Sequence, residues 1–215
     1  MKKKSRKSQK KASSMLLHER RAAKKGFRIV AGIDESGRGP LAGPVVACCC
    51  VLKSRRFKNY IDDCKKLSPL SRQKAYLEIV KKTYFGVGIV SEKVIDRINI
   101  LNATGRAMEI AIKNLSTVTP DIILVDGRVR INTSHNKVFI IKGDEKSLSI
   151  ACASIIAKIT RDKIMKTYDN RYPQYGFSRH KGYPTSYHFK AIRDHGPLPI
   201  HRKSFYPFSN KKTRR

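Results

Sequence analysis

Two uninterrupted apolar runs, Phe27–Asp34 (FRIVAGID) and Val45–Leu52 (VVACCCVL), lie close together with a Gly/Pro-rich stretch between them. Runs of this kind on either side of a turn predict two paired strands. Downstream, Ser68–Pro69 opens a helix, with Ser as the cap and Pro at the first helical position. Its apolar residues Leu70, Tyr76, Leu77 and Val80 recur near helical spacing. Tyr84–Val90 (YFGVGIV) reads as a third strand, weakened by two glycines. Ile100–Leu115 is a helix with Ala103, Ala107, Ile110 and Ala111 on one face. Ile122–Val125 and Val138–Ile141 are short strands, Leu148–Lys166 is a long helix, and Thr185–His195 a shorter one closed by Gly196–Pro197. Strands that first pair and then alternate with helices imply an α/β fold, a mixed sheet covered by helices. At 215 residues, with no internal repeat and no linker, one domain is expected.

Charge narrows the function. The chain carries 47 Lys+Arg against 16 Asp+Glu, a formal +31. Residues 1–27 hold a net +10 and residues 202–215 a net +6, leaving +15 on the body, so the folded part is itself basic. Such a chain binds polyanions, nucleic acid first among them, with anionic membrane surfaces the competitor. Residues 1–26 are expected to be a disordered, phosphate-seeking extension, residues 27–208 the folded domain and residues 209–215 a basic tail. No apolar stretch approaches a bilayer span. Met15, Leu16 and Leu17 are too few for a secretory signal, which predicts a cytoplasmic protein, although a basic, Ser-containing leader also resembles an organelle transit peptide. Five cysteines, three of them consecutive at Cys48–Cys50 and none in C-x-x-C spacing, read as small buried hydrophobes in a reducing compartment rather than zinc ligands.

On so basic a chain the acids are informative. Asp34 and Glu35 fall where a strand runs into GRGP, Asp126 ends ILVDG, and Asp144 follows another apolar strand in IIKGD. Any one of these alone reads as a turn or helix cap. Together they look like a metal site at a sheet edge, suited to Mg²⁺ or Mn²⁺, which take carboxylate oxygens plus water and phosphate. The implied chemistry is phosphodiester hydrolysis assisted by two ions. On a regular strand Asp34 and Glu35 point to opposite faces, so sharing a site requires the strand to end or kink there, which Gly37 and Gly39 would allow.

The stretch GIDESGRGPLAGPVVA (Gly32–Ala47) resembles the opening motif of bacterial ribonuclease HII, the type 2 ribonuclease H. The likeness continues through DDCKKLS (Asp62–Ser68), INILNAT (Ile98–Thr104), LVDG (Leu124–Gly127), KGD (Lys142–Asp144), SIACASIIAKITRD (Ser149–Asp162), YPQYGFSRHKGYPT (Tyr172–Thr185) and HRKSF (His201–Phe205), covering roughly residues 27–208. The sister ribonuclease HIII resembles it less well, because it favours lysine in the Gly-basic-Gly triplet. The resemblance implies a mixed five-stranded ribonuclease H-like sheet flanked by helices, with a C-terminal helical extension. It implies an endonuclease, acting as a monomer, that cuts the RNA strand of RNA–DNA hybrids and nicks duplex DNA 5′ of an embedded ribonucleotide, leaving 3′-hydroxyl and 5′-phosphate ends.

The family's four metal-binding carboxylates fall on Asp34, Glu35, Asp126 and Asp144, and its junction-sensing triplet on Gly37, Arg38 and Gly39. Glycines there let the backbone approach a 2′-hydroxyl closely. The junction tyrosine falls on Tyr183. Lys65, Lys66, His180 and Lys181 are candidate phosphate contacts. Asp162, 18 residues beyond Asp144, lies ~27 Å away if the helix between them is continuous, so its role is structural. Where the family has serine in DSKKL, Cys64 stands here, and a thiol is a poorer hydrogen-bonding group. The rival expectation is a basic nucleic-acid-binding module without catalysis.

Overall fold

The computed structural model describes residues 13–61, 64 and 66–209. Its strands are β1 (Val30–Ser36), β2 (Val45–Leu52), β3 (Thr83–Val90), β4 (Ile122–Asp126) and β5 (Asn136–Ile140). They form one mixed sheet in the order β3-β2-β1-β4-β5. β2 is antiparallel to both neighbours, while β1–β4 and β4–β5 are parallel. The run VVACCCVL never alternates because both faces of β2 are covered. Val46, Cys48 and Cys50 join one core layer, and Val45, Ala47, Cys49 and Val51 join the other. All five cysteines are free and buried, as expected.

The helices are α1 (Leu17–Lys24), α2 (Pro69–Lys82), α3 (Glu92–Lys113), α4 (Gly143–Lys146), α5 (Leu148–Arg171), α6 (Phe177–His180) and α7 (Ser186–His195). α3 packs on one face of the sheet and α5 on the other. Gly86 and Gly88 in β3 are there for α3 rather than as weak points. A Cβ at either would run into the α3 backbone, at Ala111 and Ala107 respectively. α3 breaks at Asn99, whose φ is 64°. The Asn99 side chain accepts N–H bonds from Leu101 (3.0 Å) and Asn102 (3.1 Å), capping the half whose start at Ile100 the sequence predicts. In α2, Ser68 caps as expected, but Ala75 and Ile79 form the buried face, and Leu70 and Leu77 point to solvent.

The expected boundary at residue 27 falls too late. Met15 and Leu16 are buried in the layer under α5. The Glu19 carboxylate of α1 accepts bonds from Ser147 Oγ (2.7 Å), Ser149 N (2.9 Å) and Ser149 Oγ (2.8 Å), at the start of α5. Charge hid this segment: a helix needs only one apolar side, and its basic residues occupy the other. Residues 1–12 and 210–215 lie outside the described residues. Among those described, no helix is long and apolar enough to cross a membrane.

Candidate active site

β1 and β4 run side by side in parallel, and the chain leaves them in opposite directions, β1 toward β2 and β4 toward β5. A crevice opens at such a point, beyond the carboxyl ends of the strands. Here it is a cleft of about 250 Å³ lined by Asp34, Glu35, Asp126 and Asp144. Its remaining walls are Ser36 with the Gly37–Arg38–Gly39 triplet, Cys64, Ser154, Lys158 and Tyr183. All four predicted carboxylates therefore meet. No kink is needed for Glu35 to join Asp34, because β1 keeps its register with β2 through Ser36. At the end of the sheet the cleft is open to side chains from both faces, and the chain turns only at Gly37, where φ is +102°.

Each acid is held. Asp34 is buried, accepts the Glu35 N–H at 2.6 Å and takes a hydrogen bond from the Ser154 hydroxyl. Ser154 also lies 3.4 Å from Cys64 Sγ, so the thiol in the family's serine position touches the residue that supports Asp34. Asp126 accepts the Gly143 N–H at 2.6 Å, tying β4 to the short helix that carries Asp144. Burial, and then the charges of Glu35 and Asp126, push Asp34 well above the usual carboxylate range. Burial also raises Glu35, with repulsion from Asp126 opposed by Arg38, whose guanidinium lies 3.4 Å from it.

These residues fit a divalent cation. The Glu35 Oε2 atom is buried with no hydrogen-bond partner, and its crowded neighbours resist ionising together, which an added positive charge would relieve. The donors are hard oxygens of the kind Mg²⁺ and Mn²⁺ prefer. Among the described residues no three His, Cys, Asp or Glu side chains stand close enough to hold one ion by themselves. The carboxylates instead line an open cleft with room for water and a phosphate as further ligands.

The triplet is backed by two arginines that the sequence reading passed over. Arg202 and Arg161 are both fully buried. Arg202 donates to the carbonyls of Gly37 (2.6 Å), Arg38 (3.0 Å) and Gly43. Arg161 donates to Ala42, Pro44 and Lys181, each at 3.0 Å. The Tyr183 ring lies against Gly39, where an added Cβ would stand 3.6 Å from Cε1. Its backbone carbonyl is 3.0 Å from His188 Nδ1, and His188 Nε2 is 3.0 Å from His201 Nε2.

The remaining candidates scatter. Lys65 lies outside the described residues. Lys66 pairs with Glu145 at 3.0 Å, beside Asp144. His180 is taken up inside the fold, its ring engaged by Tyr175 O and Gly182 N and stacked on His188. Both ring nitrogens are thus engaged within the fold, although the residue is only half-buried. Lys181 reaches the Ser178 carbonyl. Lys158 lines the cleft and was missed, as was Ser154. With Arg161 they form an i, i+4, i+7 polar stripe on a helix whose first three turns are mostly apolar, which is the signal that would have found them. Asp162 pairs with Lys158 (2.6 Å) and Arg72 (3.8 Å) and does not line the cleft, consistent with a structural role.

A mixed sheet of this order, with carboxylates gathered at the ends of its parallel strands on a basic body, defines a metal-dependent nuclease of the ribonuclease H fold. The family model described as Ribonuclease HII matches residues 31–208. Ribonuclease HII of Acetivibrio thermocellus is 50% identical over 192 residues, covering 89% of this chain and 75% of that protein. That of Chlamydia pneumoniae is 49% identical over 196 residues, covering 90% and 91%. The crystal structure of ribonuclease H2 from Pyrococcus horikoshii superposes with a TM-score of 0.71 at 25% identity, covering 84% of this chain and 95% of that one. The chain belongs to the ribonuclease HII family, and is a type 2 ribonuclease H.

Proposed function

We propose that this enzyme hydrolyses the RNA strand of RNA–DNA hybrids and nicks duplex DNA on the 5′ side of an embedded ribonucleotide, leaving 3′-hydroxyl and 5′-phosphate ends. One observation carries most of the reading: the four carboxylates, the Gly37–Arg38–Gly39 backbone and Tyr183 line a single cleft. Asp34, Glu35, Asp126 and Asp144 would hold Mg²⁺ or Mn²⁺ as a pair of ions. Bound there, such ions polarise the phosphoryl group and lower the cost of making a nucleophile from water. The Glu35 and Gly143 N–H groups fix Asp34 and Asp126 in place.

The backbone of the triplet reads the 2′-hydroxyl, the one group that separates RNA from DNA at this position. The Tyr183 ring packs on the deoxyribose that follows, and Lys158 and Lys66 meet phosphates. Water oxygen bonds to phosphorus as the P–O3′ bond breaks, and a proton from that water ends on O3′. The 2′-hydroxyl of the ribonucleotide lies beyond the broken bond on its 3′ side, so it serves in recognition and not as the nucleophile. The enzyme works as a monomer on this substrate.

A DNA duplex with one ribonucleotide, incubated with Mg²⁺, Mn²⁺ or chelator, tests the reading. The expected result is a nick immediately 5′ of the ribonucleotide, absent with chelator and reduced more than about a hundredfold in Asp126→Asn, with binding retained. Cleavage of a long hybrid but not of this duplex would remove the junction roles of the triplet and Tyr183. Wild-type rates in Asp126→Asn would remove the carboxylate assignment.

A further inference from the structure

Arg202 and Arg161 place two guanidiniums inside the protein, and among the described residues neither forms a salt bridge. Burying charge without a counter-charge is costly, so what they bind is informative. Among the described residues their hydrogen bonds go to backbone carbonyls. Those of Arg202 fall on Gly37, Arg38 and Gly43.

The consequence follows from peptide geometry. The Gly37 carbonyl shares a peptide unit with the Arg38 N–H, and the Arg38 carbonyl with the Gly39 N–H. In a planar trans peptide the N–H points opposite to the C=O. Two carbonyls drawn inward to Arg202 therefore turn the Arg38 and Gly39 N–H groups outward, on the side where the triplet lines the cleft. Among the described residues neither N–H donates to a protein acceptor. A charge-assisted bond to each carbonyl also withdraws electron density through the amide and makes its N–H a stronger donor.

We propose that Arg202 is a specificity-determining positioning residue: from behind the triplet it aims and strengthens the Arg38 and Gly39 N–H groups as a paired donor for the 2′-oxygen of the ribonucleotide. The proposal rests on the ribonucleotide-recognition reading given above. Arg161 holds the far side of the same loop, at Ala42 and Pro44, and joins it to Lys181, two residues before Tyr183. The loop and the tyrosine are thereby set relative to one another from a common interior support.

The test compares the affinity of the full chain, with Ca²⁺ in place of the catalytic ion, for two duplexes that differ only in one ribonucleotide. In Arg202→Lys a single ammonium replaces the planar fork and cannot bridge both carbonyls in the same geometry. The preference for the ribonucleotide duplex is expected to fall about tenfold, with affinity for the all-DNA duplex within about twofold of wild type. An unchanged preference would overturn the proposal. Equal weakening on both duplexes would also overturn it, pointing to a phosphate contact or a general structural role. A wild type with no preference would overturn the recognition reading itself and the proposal with it.

Should the variant not fold, the wild-type amide resonances of Arg38 and Gly39 provide a second measurement. Both protons are expected to shift downfield with the ribonucleotide duplex and not with the all-DNA duplex. Identical responses to the two would refute the proposal.

Discussion

Acidification should loosen the support of Tyr183 through His188 and His201, and the hydrogen bonds determine how. A backbone N–H can only donate, so the Leu198 N–H at 2.8 Å makes His201 Nδ1 an acceptor and assigns the His201 proton to Nε2. That proton points at His188 Nε2, 3.0 Å away, which must accept it, leaving the His188 proton on Nδ1 to bond the Tyr183 carbonyl. A second proton on His188 would set two N–H groups against each other. Burial, helped by the nearby His180 and opposed by the carbonyl bonds, lowers both rings to about 4.

The sign follows directly. The unfolded chain takes up these protons as pH falls below about 6.5, while the folded chain refuses them until about 4, so stability is full above pH 6.5 and declines with acid. For His188 the loss between pH 7 and pH 5 is at most about 2 kcal/mol, from 1.36 kcal/mol per unit, with solvent screening reducing it. Asp34 and Glu35, whose folded values are raised, act in the opposite direction and add stability as pH falls. The measurement is therefore differential: urea unfolding of wild type and His188→Gln from pH 8 to pH 5. The gap between them should narrow by up to about 2 kcal/mol on acidification. A gap that does not vary with pH would refute the neutral, fully polarised chain.

Three further outcomes are expected. Asp34→Asn should abolish cleavage yet raise the urea midpoint of the metal-free protein at pH 7.5, because a carboxylate whose folded value is raised costs stability once ionised; a lower midpoint would contradict this. Tyr183→Ala should lose more activity on the single-ribonucleotide duplex than on a long hybrid in parallel kcat/KM measurements, and equal losses would remove its junction role. Gly37→Ala should lower stability by about 1–3 kcal/mol in thermal unfolding, since φ is +102° and its Cβ would collide with Arg161 and stand 2.8 Å from Pro44 O.

How much was legible in the sequence depended on whether a residue's partners were local. The two runs at Phe27–Asp34 and Val45–Leu52 gave the paired strands because burial on both faces leaves an apolar run unbroken. The four carboxylates stood out because acids are scarce on a +31 chain. Arg161 and Arg202 did not, because their acceptors are backbone carbonyls mostly more than 100 residues away, and among 47 basic residues a buried one carries no mark. The internal contacts of His180 were not legible for a related reason. Beside Lys181 it looked like part of a phosphate-binding pair, whereas its ring stacks on His188, a contact that depends on how α6 and α7 fold together. At the amino end, Met15 and Leu16 were outweighed by the charge around them, although two apolar residues are enough to fix a short helix against an existing core.

Two kinds of positive charge now have separate tasks. The basic surface draws in a nucleic-acid backbone from a distance and is weakened by ordinary salt. It cannot bring a phosphate into the cleft unaided, because four carboxylates line the place where that phosphate must sit. Burial first, and then the neighbouring acids, raise Asp34 and Glu35 although the protein as a whole is strongly cationic. Arg202 and Arg161 do not relieve this directly, since their donors face the loop carbonyls and not the acids. Their hydrogen bonds reach the cleft through the peptide units of the triplet. On the proposed reading the cleft would meet its substrate on two fronts: oriented backbone donors at the sugar, and carboxylates at the phosphate that need cations before an anionic substrate can approach. Recognition of the sugar and engagement of the phosphate would then be separable, the first built into the loop and the second dependent on the ions the acids would hold.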